Sequence, residues 1–192
     1  MKKSAILLAE GFEEIEALTV VDILRRAGVK CDMCSLNGEM VSGSHDIKVK
    51  ADIMFNTAYL NEYDVLILPG GMPGAANLRD NEGVIEIVKS FYKQEKIIAA
   101  ICAAPIVLER AGIIKGSNIT SHPSVKESLG DSLYCEEIVK EDGNIITSRG
   151  PATAIYFGLA ILEKLGLNEK IMELKKGMLL YFVENKIRDT QI

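Results

Sequence analysis

KIIAAICAAPIVLERAG, Lys96 to Gly112, decides the fold. Its first half is a continuous apolar run, as expected of a strand buried on both faces, and its second half is an amphipathic helix stopped by Gly112. Cys102 stands at the junction, among Ala99, Ala100, Ala103 and Ala104. A strand that passes directly into a helix is half of a parallel β–α unit, so the rest of the chain should supply more units of the same kind.

It does. AILLA (5–9) leads through Gly11 into a helical pattern that runs to about Ala27 and is closed by Gly28. VKCDMCSL reads as a second strand, and NGEMVSGSHDIKVKAD as a small hairpin with Asn-Gly and Ser-Gly turn signals. YDVLILPGG is a third core strand ending in a glycine pair, NEGVIEIVKSFYKQ an amphipathic helix, and KIIAAIC the fourth strand. SNITS is a short strand, LYCEEIVKEDGNIITS a hairpin on Asp142-Gly143, PATAIYFGLAILEKLG a mostly buried helix, and the tail from Asn168 one further helix. The alternation predicts an α/β fold: a doubly wound parallel sheet with helices on both faces, a three-layer sandwich. Ligands of such sheets sit beyond the carboxyl ends of the strands, where AILLA, VLILPGG and AAIC should converge.

A chain of 192 residues that is 48% hydrophobic can bury one continuous core, so a single domain over 1–192 is expected. The net charge of -5, with no basic run, argues against a nucleic-acid partner. The apolar run after the two N-terminal lysines is five residues (Ala5 to Ala9), too short for a signal peptide or a membrane span, which predicts a cytoplasmic protein without a membrane role. The four cysteines, Cys31, Cys34, Cys102 and Cys135, are therefore expected as reduced thiols. Cys31 and Cys34 spell C-x-x-C, but on a strand residues three apart face opposite ways, which speaks against a redox or metal pair. With neither H-E-x-x-H nor paired C-x-x-C, no catalytic metal is predicted.

At a strand-to-helix turn the first N–H groups of the helix lack partners and carry the positive end of its dipole, a setting that lowers a cysteine pKa into the range of about 3.5 to 7.5. Pro105 suits a first helical turn. The Ala103 N–H stands beside the sulfur and the glycines of LPGG can offer another, which together make an oxyanion hole. The alternative is that Cys102 is a small buried hydrophobe. A second residue argues for reactivity: on a helical wheel Phe12, Glu16, Thr19, Val20, Ile23 and Ala27 share one side, whereas Glu14 and Arg25 point elsewhere. Glu13 and Glu14 suit a helix N-terminus; a glutamate on the apolar stripe needs a partner. If Glu16 and Cys102 meet, one of two acids keeps its proton, and a protonated Glu16 beside a thiolate is a general acid.

Other residues leave alternatives open. His122 in ITSHPSV either approaches the crevice or caps a helix start. His45 lies in the hairpin. LPGGMPGAANL lacks the spacing of a phosphate-binding loop, and Arg149 in TSRGP can bind an anion or brace a turn. Leu18 and Val21 form a second apolar stripe on the first helix, either more deeply buried in the monomer or a homodimer contact.

AEGFEEIEA, LPGG and AICAAP together, with VVDILRRAG, SHP and TSRGPAT, closely resemble the ThiJ/PfpI superfamily, in the branch of the Parkinson's-disease-associated protein deglycase and its bacterial relatives. The resemblance implies a flavodoxin-like sandwich that forms homodimers. It makes Cys102 the nucleophile, Glu16 its protonated partner, Gly71 and Ala103 the backbone donors to an oxyanion, and places His122 nearby. It implies no cofactor. Relatives of this branch are described as glyoxalases, as deglycases of glycated proteins and as redox-responsive chaperones. Three departures stand out: Ala103 replaces the histidine that follows the cysteine in the protease branch, Ser124 the glutamate that glutamine amidotransferases carry two residues beyond their histidine, and His45 an arginine common in the hairpin. The implied partners are a small aldehyde such as methylglyoxal or glyoxal, or a glycated protein. The other function in view is an oxidative-stress sensor or chaperone acting through Cys102 oxidation.

Overall fold

The computed structural model describes residues 2–190. In chain order the strands are β1 (Lys3–Leu8), β2 (Lys30–Ser35), β3 (Met40–Ser42), β4 (Lys48–Lys50), β5 (Ile53–Met54), β6 (Val65–Leu68), β7 (Ile97–Ile101), β8 (Asn118–Ile119), β9 (Leu133–Tyr134), β10 (Val139–Asp142) and β11 (Ile145–Ser148). The helices are α1 (Glu14–Arg26), α2 (Thr57–Leu60), α3 (Gly74–Arg79), α4 (Glu82–Lys93), α5 (Pro105–Arg110), α6 (Ala154–Lys164), α7 (Asn168–Gly177) and α8 (Leu180–Thr190). The apolar runs become the middle of a seven-stranded sheet of order β10-β11-β7-β6-β1-β2-β5, parallel throughout except for β10 at the edge. From β1 the chain steps one way to β2 and the other way to β6 and β7. The order therefore reverses between β1 and β6, and a crevice opens at their carboxyl ends.

Side chains alternate across the sheet into two apolar layers. Leu7, Leu66, Leu68, Ile98 and Ala100 pack with Val88 and Phe91 of α4 and Val107 of α5. Ile6, Leu8, Ile67, Ala99 and Ile101 pack with Val20, Ile23 and Leu24 of α1 and Phe157 and Ile161 of α6. Cys34 belongs to the first layer and Cys31 to the second, so the two thiols of C-x-x-C are separated by the sheet. Helices α1 and α6 meet closely at Gly158, where a Cβ would lie 3.0 Å from Ile23 Cδ1.

The structure departs from expectation in several places. SNITS does not join the main sheet: β8 pairs in parallel with β9, so Leu133–Tyr134 leaves the predicted hairpin, which is only β10 and β11. The edge beside β11 is already taken by β10, and Asp142 Oδ2 holds both the backbone and side-chain amides of Asn118 at 2.8 Å. The tail forms two helices, broken where Leu179 takes a φ of 60°. Val21 is buried within its own chain, whereas Leu18 is half-buried and Ile15 is 57% exposed, so the outward stripe of α1 is Ile15 and Leu18. Among the described residues no helix is long and apolar enough to cross a membrane.

Phe157 is fully buried between α6 and the sheet. Phe157→Ala is expected to lower unfolding free energy by about 3–5 kcal/mol, read from the urea midpoint with an unchanged m-value.

Candidate active site

Strand β7 ends at Ile101, and Cys102 takes a φ of 62°, in the left-handed region that side-chain-bearing residues rarely adopt. Neighbouring strands hold it there. The Cys102 N–H donates to the Ser148 carbonyl at 3.0 Å, and the Cys102 carbonyl accepts from the His122 N–H at 2.9 Å. Strain of this kind persists only where surrounding bonds over-determine it. Ala99, Ala100, Ala103 and Ala104 are all buried, and no larger side chain competes for the bend.

Helix α5 begins only at Pro105 and has six residues, so its dipole is a smaller influence on Cys102 than expected. The backbone amides that lower the thiol's pKa are instead those of Ala103 and Gly71. Gly71 has a φ of 88°, and a Cβ there would lie 2.4 Å from the Glu13 backbone nitrogen. At Gly70 a Cβ would lie 2.6 Å from Cys102 Cβ and 2.7 Å from Glu16 Oε2. Only a residue without a side chain lets the end of β6 come this close to both.

Glu16, in the first turn of α1, is fully buried. The Gly70 N–H donates to its Oε2 at 2.8 Å. Oε1 has no partner by strict hydrogen-bond geometry, and the carboxyl's other neighbour is the Cys102 thiol, in a looser contact. Burial raises the Glu16 pKa from 4.5 to about 7 against the lowering effect of Cys102 and the Gly70 N–H, with the nearby Glu13 charge adding to the rise. Burial likewise pushes the Cys102 thiol up, to about 12, with the Glu16 carboxylate as the next cause and the Ala103 and Gly71 amides opposing. This replaces the lowered thiol pKa expected from a helix N-terminus. The two groups share one proton over the neutral range, and their titration belongs to the pair. With the proton on Glu16, the carboxylate's share of the rise disappears, and the two amides oppose the share that burial leaves.

His122 is joined to Cys102 through its backbone, while its exposed ring is used as a cap: Nδ1 accepts from the Ser124 N–H at 3.2 Å and lies 2.7 Å from Ser124 Oγ. Among the described residues no hydrogen bond joins that ring to the sulfur. Arg149 is half-buried, with Nη1 fully buried and unpartnered. Cys31 and Cys34 are raised to about 11 and about 12 by burial, which keeps them as thiols. Glu14, read from the wheel as pointing away, is in fact 4% exposed and bonded to the hairpin. Its Oε1 accepts from the His45 N–H at 2.7 Å, and Oε2 lies 2.8 Å from His45 Nδ1. Burial works against this carboxylate, but the His45 contacts outweigh it and hold its pKa at about 2. A cleft of about 560 Å³ lined by Lys2, Asp64, Lys96 and Lys164 lies at the opposite, amino ends of the strands, away from Cys102.

Comparison with known proteins agrees with this architecture. Protein dj-1beta of Drosophila melanogaster is 41% identical over 186 residues, covering 95% of this chain and 100% of that protein. A Schizosaccharomyces pombe protein named glutathione-independent glyoxalase DJ-1 is 32% identical over 189 residues, covering 93% of this chain and 98% of its own. The solved structure of Toxoplasma gondii DJ-1 in an oxidized form superposes with a TM-score of 0.87 at 34% identity, covering 93% of this chain and 98% of that one. The model of the DJ-1/PfpI family matches residues 2–164, a span that holds the strained cysteine, the buried glutamate and the glycine pair, and the chain belongs to that family.

Proposed function

We propose that the chain is a cysteine-dependent, cofactor-independent glyoxalase and protein deglycase, one domain with one site, acting on methylglyoxal, glyoxal or their adducts. The observation that carries this reading is the fully buried Glu16 carboxyl against Cys102, with the Ala103 and Gly71 N–H groups at the sulfur. The name of the Schizosaccharomyces pombe relative supports it: a glyoxalase independent of glutathione needs a thiol of its own.

The Cys102 thiolate adds to the aldehyde carbon, forming a C–S bond, and the carbonyl oxygen takes the proton of Glu16 to give a hemithioacetal. The developing oxyanion is met by the Gly71 and Ala103 amides. Glu16, now a carboxylate, removes the hydrogen from the sulfur-bearing carbon to give an enediol and returns it to the adjacent carbon, leaving a thioester. Water cleaves the thioester to the hydroxy acid, and thiolate and protonated Glu16 are restored. No electrons enter or leave. On a glycated protein the same addition begins at the adduct on a lysine, arginine or cysteine. His122 lies within the site through its backbone and is assigned no proton transfer here.

The same cradle favours a second reading, an oxidative-stress sensor in which Cys102 is oxidised by peroxide. A protonated Glu16 and two amides suit a sulfinate as they suit a thiolate. The exposed Ile15 and half-buried Leu18 of α1 support the homodimer implied by the resemblance, a state read directly by analytical ultracentrifugation.

With methylglyoxal, Cys102→Ala is expected to abolish lactate formation and Glu16→Gln to slow it by about 10²–10⁴-fold. Full activity in either variant removes the assignment. The rate of wild-type alkylation by iodoacetamide is expected to rise as the pair loses its first proton near pH 7 and then to level off, because the second proton leaves only near 12. Stability should move the other way. The Glu16 pKa is raised on folding from 4.5 to about 7, so its contribution is complete below 4.5 and is lost as pH rises through 7. This loss amounts to about 3 kcal/mol in wild type and is absent in Glu16→Gln, as urea melts at pH 4.5 and pH 8 can show.

A further inference from the structure

The hairpin of β3 and β4 leans on the start of α1 through side chains that the mechanism does not use. We propose that Glu14 and His45 are positioning residues for the Cys102–Glu16 pair: together they hold the hairpin and the first turn of α1 in one register, and so fix where the Glu16 carboxyl stands. The inference deepens the reading of that pair given above and rests on it.

The hairpin cannot keep this place by apolar burial. Its two strands form a sheet apart from the main one, and of their residues only Val41 is buried. A two-stranded hairpin is marginal by itself. What its tip meets on α1 is a carboxylate, that of Glu14, which is 4% exposed. Three groups of the tip converge on it: the His45 N–H donates to Oε1 at 2.7 Å, while His45 Nδ1 lies 2.8 Å and the Ser44 hydroxyl 3.3 Å from Oε2. Gly43 permits the approach, since a Cβ there would lie 2.2 Å from Glu14 Oε1. An apolar contact of this size would hold the hairpin by area alone. A buried carboxylate with three partners accepts one arrangement, because any other leaves its charge without donors and away from water.

The same turn carries the acid. Glu14 stands two residues before Glu16, and the Glu16 N–H donates to Glu13 Oε2 at 2.7 Å. Beyond the turn itself, only the Gly70 N–H, at 2.8 Å, and the looser Cys102 contact bear on the Glu16 carboxyl, so a shift of the turn passes directly to it. The charged groups that face the His45 ring are Glu14 and Glu13 at the start of α1 and Asp46 in the hairpin. All are acidic. The hydrogen bond to Glu14, followed by these charges, raises the ring's pKa above 6.5, so the pair's contribution is complete below pH 6.5 and falls as pH rises through the folded value.

Two measurements on the full chain test the assignment. NMR titration of the His45 ring is expected to give a midpoint above 6.5 in wild type, moving back toward 6.5 in Glu14→Gln. Iodoacetamide alkylation of Cys102 is then followed against pH in wild type, His45→Ala, His45→Asn and Glu16→Gln. Asparagine keeps an N–H donor near the place of Nδ1. His45→Ala is expected to shift the step near pH 7 upward and to slow alkylation at pH 7.5 by about threefold or more, and His45→Asn to restore the wild-type rate. A role in stability alone would lower Tm and leave the profile of the folded protein where it was. The proposal is overturned by a wild-type midpoint of 6.5, by a His45→Ala profile that superimposes on wild type, or by a His45→Asn variant as slow as His45→Ala. Glu16→Gln alkylating like wild type removes the underlying pair and this inference with it, so the two failures read differently. Glu14 is buried and its variant can fold poorly, so the exposed His45 carries the decision.

Discussion

The contact between the Glu16 carboxyl and the Cys102 sulfur, closed by the Gly70 N–H on Oε2, is the constraint around which the crevice is arranged. A carboxyl with no exposed surface is costly in its ionised form, and the structure offsets that cost with a backbone donor, a thiol neighbour and a retained proton. Each partner arrives on a different β–α connection: Glu16 after β1, Gly70 after β6, Cys102 after β7. They meet because the strand order reverses between β1 and β6, and they come close because Gly70 contributes no side chain.

Much of this was legible in the sequence, for identifiable reasons. Strands buried on both faces leave continuous apolar runs, so AILLA, VLIL and IIAAI could be read without knowledge of their neighbours. The inward place of Glu16 followed from helical periodicity, and the opposed faces of Cys31 and Cys34 from strand periodicity. Periodicity is a local signal, and these are properties each element has by itself.

What was not legible depends on contacts between elements. The wheel placed Glu14 away from the core, yet it is buried by a hairpin tip 31 residues along the chain, a contact that no spacing within α1 encodes. Asn118–Ile119 read as a strand and is one, but its partner was decided by which sheet edge β10 had left open. The thiol pKa departs from the expectation for the same reason. The turn at Cys102 announces donors in the sequence, whereas the desolvation and the carboxylate that oppose them exist only after packing. Burial is the largest influence on the thiol, the Glu16 carboxylate the next, and a proton held on Glu16 relieves the second but not the first.

The segment from Gly11 to Glu13 shows why the hairpin and the crevice cannot move independently. Gly11 N–H donates to the Ser42 carbonyl at 2.8 Å and the Phe12 carbonyl accepts from Ser44 N–H at 2.8 Å, which ties the segment to the hairpin. On its other side Glu13 N–H donates to the Gly70 carbonyl at 2.9 Å, and Gly74 N–H donates to the Gly11 carbonyl at 3.2 Å. Glu16 rises directly from this clamped strip, with its own N–H on the Glu13 carboxylate. A displacement of the hairpin must therefore shift the first turn of α1 or break these bonds, and either change alters the distance over which Glu16 and Cys102 share a proton. Precision at the sulfur is set by backbone hydrogen bonds three to five residues before the acid, which is the form of preorganisation that costs nothing at the moment of reaction.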